Sequence, residues 1–141
     1  MVKIARYEVD GAVHFGILED DVLRRLPGSP FETLTPTART DRLDNVKLLA
    51  PLELPRVFGV GHNYVEHIKE VGAKTPEMPL IFTKPSTAVT GPGQAIVYPR
   101  EGQNVHFEAE LAVVIGRAGR RIPADNALDH VLGYTCANDV S

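Results

Sequence analysis

In the stretch VHFEAELAVVIG, Glu108 and Glu110 stand two residues apart, just ahead of an apolar run from Leu111 to Ile115. Alternate residues of a strand lie roughly 6.5–7 Å apart on one face, so these two carboxylates can converge on one ion. Carried toward a low-dielectric interior without a cation, they would rise in pKa or destabilise the fold by several kcal/mol. An all-oxygen donor set selects a hard cation, Mg²⁺ or Ca²⁺, and is compatible with Mn²⁺. The same pair can also stand solvated at an exposed strand end or pair with Arg117 or Arg121. A third carboxylate, Asp139, ends the apolar stretch LGYTCA, where a sheet would present a site residue. Taken alone it also reads as an ordinary turn residue beside Asn138.

A second group lies upstream. His67 and Glu70 are three residues apart in a segment with helix signals, which puts them on one helical face. A carboxylate that orients and charges an imidazole equips it as a general base. Glu66 and Lys69 make the segment polar in any case, so a chance surface pair explains it too. Gly59-Val60-Gly61 ahead of the helix resembles the start of a dinucleotide fingerprint, but Tyr64 stands where the third glycine belongs and no acid follows at the required distance. That reading is rejected. His14, His106 and His130 have no evident partner, although His106 shares strand parity with Glu108 and Glu110.

The elements that must carry these residues follow from turn and periodicity signals. Residues 3–7 and 12–18 flank Asp10-Gly11, a hairpin signal. A further turn at 19–21 leads to a third strand at 22–26. Residues 27–54 are punctuated by Pro27, Pro30, Pro36 and Pro51 and read as a linker with at most a short strand at 46–49. A domain boundary is expected at 54/55. Next come a strand at 56–61, a helix at 64–71 capped by Asn63 with Glu66 and ended by Gly72, and short strands at 80–83, 88–89 and 95–98. A strand follows at 105–116; its run after Glu110, Leu111 to Ile115, is apolar on both parities and is expected to be buried on both faces. A short helix at 124–131 and a strand at 132–137 complete an α+β, β-rich pattern.

Composition narrows the function classes. The 141 residues are 43% hydrophobic and 23% charged, the profile of a globular chain. A formal net charge of −3 leaves no basic field for nucleic acid. No apolar run approaches the ~20 residues of a membrane helix, and Lys3, Arg6, Glu8 and Asp10 interrupt any secretory leader. A single cysteine, Cys136, excludes an internal disulfide and fits a reducing, cytoplasmic setting.

Four blocks in order, GHNYVEHIKE (61–70), PLIFTKPSTAVTGPG (79–93), VHFEAELAVVIGR (105–117) and ALDHVLGYTCANDVS (127–141), resemble the fumarylacetoacetate hydrolase family. The first 55 residues resemble more loosely the small β-rich N-terminal segment of its bacterial type. The resemblance implies a mixed β-roll, partial in this chain (55–141), behind a small antiparallel β domain (1–54). It implies that Glu108, Glu110 and Asp139 hold a divalent cation, usually Mg²⁺. It also implies that His67 and Glu70 form a water-activating dyad on a mobile lid, and that Lys84 lies near the site. The family continues past its N-D-V-S block with further substrate-binding groups. The chain is therefore expected to be the front portion of a longer enzyme, inactive and self-associating alone, with open or foreign-filled sheet edges.

The activity so implied is Mg²⁺-dependent chemistry on a small 2-oxo acid by a homodimer. C–C hydrolysis of acylpyruvates ranks first. Isomerisation of 2-hydroxy-dienedioates or decarboxylation of oxaloacetate ranks second, and a non-catalytic 2-oxo-acid-binding protein is the rival from another class.

Overall fold

The computed structural model describes residues 1–53 and 55–141, so the boundary expected at 54/55 falls on Leu54, outside the described residues. Five strands form an antiparallel sheet in the order β4-β3-β2-β1-β5: β1 Lys3–Val9, β2 Ala12–Glu19, β3 Val22–Arg25, β4 Thr40–Arg42 and β5 Lys47–Leu48. Asp10 (φ 51°) and Gly11 (φ 74°) both take left-handed backbone, as the tight β1–β2 hairpin requires. Tyr7 and Leu23 are fully buried and, with Leu26, make the core of this sheet. Strand β4 has no apolar alternation to announce it. Charge secures it: Arg25 grips Asp41 with two hydrogen bonds of 2.5 and 2.7 Å, and the Tyr7 hydroxyl donates to the same carboxylate at 2.7 Å. Arg25 also donates to His14 Nε2 at 3.1 Å, which gives that histidine its partner.

The remainder is β-rich with few helices, built on two antiparallel ribbons. Strand β6 (Val57–Gly61) pairs with β7 (Leu80–Lys84), and helix α1 (Val65–Glu70) lies between them in sequence. Strand β8 (Ala109–Ile115) pairs with β9 (Val131–Asn138). Gly72 ends α1 as expected, at φ 64°; its N–H and that of Ala73 close back on the carbonyls of Lys69 and Ile68. The start differs from expectation. Tyr64, not Asn63, holds the cap position, and no side chain caps the helix. Glu66 is instead drawn to Lys69 Nζ at 2.8 Å.

Proline and turn chemistry override two further expectations. Residues 86–88 form a 3₁₀ turn rather than a strand, closed by the Ala88 N–H on the Pro85 carbonyl at 2.9 Å. Residues 95–98 belong to no strand. The short helix expected at 124–131 is present as a 3₁₀ helix, Ala124–His130, entered after Pro123. Strand β8 starts at Ala109 rather than 105, because the ladder breaks beside the acidic pair. There the Glu108 N–H bonds the Asn138 side chain at 3.0 Å, and His106 and Ser141 exchange backbone bonds of 2.7 and 3.2 Å.

The expectation that β8 is buried on both faces fails. Glu110, Ala112 and Val114 are half-buried, whereas Leu111, Val113 and Ile115 on the opposite face are 62%, 47% and 60% exposed. In residues 56–141 Ile68 is the one buried hydrophobic side chain among those described. The chain exposes 11151 Å², where a compact monomer of 15.4 kDa exposes ~7200 Å². The sheet is open, as the partial roll requires.

Candidate metal centre

The interrupted ladder between β8 and β9 gathers the acidic residues. Glu108 precedes β8, Glu110 lies in it, and Asp139 follows β9, which is paired to β8 in a register that sets Glu110 opposite Ala137. The Asp139 N–H donates to the Glu108 carbonyl at 2.9 Å, which fixes the two chain segments together. One oxygen from each of Glu108, Glu110 and Asp139 lies within 4.8 Å of the others, all three residues being half-buried. Ser141 Oγ donates to Glu108 Oε1 at 2.6 Å and orients that carboxylate.

The cation that reaches this cluster is Lys84, at the end of β7, whose ammonium is paired with Asp139. Arg117 and Arg121, the partners that spacing allowed, are not needed for it. Lys84 is also held over the Phe82 ring, 5.9 Å from its centroid. That ring in turn lies on Gly59, where any Cβ would collide with it. The glycine that resembled a nucleotide-loop residue thus makes room for the aromatic floor under Lys84.

Three carboxylates against one ammonium leave a formal charge of −2. Glu110 bears the cost: burial first, then the charges of Asp139 and Glu108, push its carboxyl above the ordinary carboxylate range, and Lys84 only partly offsets them. A half-buried, all-oxygen set with that residual charge fits a hard divalent cation. A solvated strand end or a pairing with surface arginines does not match this arrangement. Beside Lys84 opens a shallow cleft of about 260 Å³, lined by Arg56, Phe58, Thr83 and Ser86 among others.

His67 and Glu70 occupy one face of α1, as their spacing predicts. Their Nδ1 and Oε2 atoms are 3.5 Å apart, with side chains 45% and 78% exposed. That is an ion-pair distance, about half an ångström longer than a hydrogen bond. The helix start is tied to the acidic strand: the Leu111 N–H, one residue beyond Glu110, donates to the Tyr64 hydroxyl at 2.9 Å. His106 contributes backbone bonds to Ser141, and His130 Nδ1 donates to the Arg117 carbonyl at 2.9 Å, away from the cluster.

Tyr64, Asn138, Ser141 and Phe82 escaped the sequence reading as members of this region. Asn138, Ser141 and Tyr64 act through single hydrogen bonds to residues remote in sequence, so no local spacing marks them. Phe82 had a signal in the cross-strand glycine, which only the β6–β7 register turns into a contact.

A β-rich chain with a cluster of three carboxylates beside a lysine and a short His/Glu helix defines a class, and comparison with known proteins identifies it. The model of the fumarylacetoacetate (FAA) hydrolase C-terminal domain matches residues 56–141, and an N-terminal domain model of the Rv2993c-like type matches residues 2–51. The chain belongs to the fumarylacetoacetate hydrolase family. Among relatives, protein Rv2993c of Mycobacterium tuberculosis is 45% identical over 138 residues, 98% of this chain and 51% of that protein. The mitochondrial oxaloacetate tautomerase fahd2 of Xenopus laevis is 46% identical over 98 residues, 69% of this chain and 31% of that protein. The crystal structure of 5-carboxymethyl-2-hydroxymuconate delta-isomerase from Mycobacterium smegmatis superposes with a TM-score of 0.88 at 39% identity, covering 100% of this chain and 55% of that one. The chain thus spans about half or less of the length of these proteins. No helix among the described residues is long and apolar enough to cross a membrane.

Proposed function

We propose that the protein containing this chain is a divalent-metal-dependent enzyme that forms and redirects the enolate of a small 2-oxo acid. The observation that carries the proposal is the meeting of Glu108, Glu110 and Asp139 within 4.8 Å, with Lys84 on Asp139. These three carboxylates would hold Mg²⁺, with Mn²⁺ or Ca²⁺ as substitutes. When bound, such an ion supplies Lewis acidity toward the substrate's carboxylate and 2-oxo oxygens.

The chain's own groups account for the rest. Arg56 and Lys84 give the cleft two cations, matched to a substrate with one or two carboxylates. His67 would move the proton. Closure of the His67–Glu70 gap from 3.5 Å to hydrogen-bond distance would leave Nδ1–H on Glu70 and Nε2 as the acceptor. In tautomerisation or double-bond isomerisation, Nε2 takes a proton from the enol oxygen or from the acidic carbon and returns it at the other end of the conjugated enolate, the double bond moving between them. Names of relatives favour this reading, since the chain is similar to a tautomerase and a dienedioate-type isomerase.

Hydrolysis, first in the sequence ranking, becomes the second reading and rests on the family's own name and on the dyad. There Nε2 would take a proton from water as its oxygen bonds to the distal carbonyl carbon. The C–C bond then breaks, releasing a carboxylic acid and the enolate of pyruvate, which picks up a proton. Decarboxylation of oxaloacetate uses the same enolate. We place the protein in the cytoplasm, as a homodimer.

The test is an assay of the protein expressed from the complete reading frame that encodes these residues. Oxaloacetate enol–keto conversion and acylpyruvate cleavage are followed by ultraviolet absorbance with Mg²⁺ and with EDTA. The proposal expects Mg²⁺-dependent turnover of at least one substrate, lowered ~10²–10⁴-fold by His67→Ala. Metal binding without turnover of either would instead favour a non-catalytic 2-oxo-acid-binding protein.

A further inference from the structure

We infer that Tyr64 is a positioning residue, a latch that seats the helix carrying His67 and Glu70 against the strand carrying Glu110. Its hydroxyl accepts the Leu111 N–H at 2.9 Å, and Leu111 adjoins Glu110 in the chain. Tyr64 is also the N-cap of α1, one turn ahead of His67. A helix of six residues is not stable by itself and takes its position from what it touches. In α1 those tethers are few. Ile68 is its one buried side chain, whereas His67 and Glu70 stand in solvent.

The latch also selects a register. In an antiparallel ladder alternate amides point away from the partner strand, so Leu111 and Val113 both offer N–H groups on the outer edge of β8. Docking on Val113 instead would carry the helix ~7 Å along the strand, beyond the reach of any adjustment of the imidazole. By taking the amide beside Glu110, the Tyr64 hydroxyl fixes His67 relative to the carboxylate cluster. It touches no reacting atom and acts through His67.

The inference rests on His67 and Glu70 being the base, and its test separates the two. Tyr64→Phe keeps the ring and removes the acceptor. In the protein from the complete reading frame it should lower kcat about threefold to tenfold, the worth of one hydrogen bond. KM and the Mg²⁺ dissociation constant should stay unchanged, a split that general loosening of the fold would not give. In that protein the Leu111 amide should exchange with deuterium faster in Tyr64→Phe than in wild type, while the Val113 amide exchanges at the same rate in both. Unchanged exchange at Leu111 in a folded Tyr64→Phe variant overturns the latch. Wild-type kcat in Tyr64→Phe, with His67→Ala inactive, overturns the positioning role alone. Wild-type kcat in both variants overturns the base as well.

Discussion

Replacing Glu110 by Gln should make the metal-free protein more stable and the metal site weaker, two effects of opposite sign from one oxygen-for-nitrogen change. Glu110 faces two carboxylates whose nearest oxygens lie within 4.8 Å, and one lysine that partly offsets them. A like-charged pair at that distance repels by ~0.9 kcal/mol in water and ~3.5 kcal/mol at an effective dielectric of 20. Half-burial places the site between these limits, and Lys84 cancels roughly one of the two repulsions, so the net relief is about 1 kcal/mol. For a chain of this size that is a rise in Tm of about 3 °C in EDTA. The pH dependence fixes the origin. The folded carboxyl titrates above its ordinary 4.5, so the folded state binds more protons and loses stability as pH rises from 4.5 through the raised value. The advantage of Glu110→Gln should therefore be full near pH 7 and vanish near pH 4. Mg²⁺ affinity, in contrast, should fall at least ~100-fold, more than the loss of a mere supporting group. Differential scanning calorimetry in EDTA and calorimetric titration with Mg²⁺ measure the two halves. A variant that melts below wild type in EDTA at pH 7, or that keeps wild-type Mg²⁺ affinity, refutes the reasoning.

In the N-terminal sheet, Asp41→Asn should destabilise by about 2 kcal/mol, below the 3–5 kcal/mol of a fully buried pair because Arg25 and Asp41 retain 17% and 10% exposure and Asn keeps one acceptor. The Arg25 hydrogen bonds hold the Asp41 carboxyl below its ordinary 3.8, so wild type should lose this stability only as pH falls below that value. Denaturant melts of Asp41→Asn should lack the acid limb. The 141-residue chain expressed alone should bind a hydrophobic dye and self-associate, because its surface exceeds that of a compact monomer by roughly 4000 Å². Lysines at the cross-strand pair Val113 and Tyr134 should weaken that association in analytical ultracentrifugation; a dye-free monomer of 15.4 kDa would contradict it.

Legibility in the sequence tracked how local each cause was. The first hairpin and the end of α1 were readable because Asp10-Gly11 and Gly72 act through their own backbone angles. The ribbon strands β6, β7 and β9 were readable from their apolar runs. Strand β4 was not, since Asp41 is held by Arg25 and Tyr7 from two other strands rather than by any pattern of its own. The cap at Tyr64 was misassigned to Asn63 because the tyrosine is committed to Leu111, 47 residues away. Burial of β8 was overestimated because its outer face has no covering layer among the described residues. At the site, parity alone put Glu108 and Glu110 on one face. Their meeting with Asp139 and Lys84 depends on two separate ribbons coming together, which spacing does not state and which family resemblance supplied.

The central claim is that Glu108, Glu110 and Asp139 form one site for one divalent ion. Its most direct test is a titration of the EDTA-stripped protein with Mn²⁺, followed by electron paramagnetic resonance of the free ion. The account predicts one bound Mn²⁺ per chain, displaced by Mg²⁺, and loss of that binding in Asp139→Asn while His67→Ala retains it. Failure to bind Mn²⁺ at millimolar concentration, or binding that survives Asp139→Asn unchanged, would contradict it.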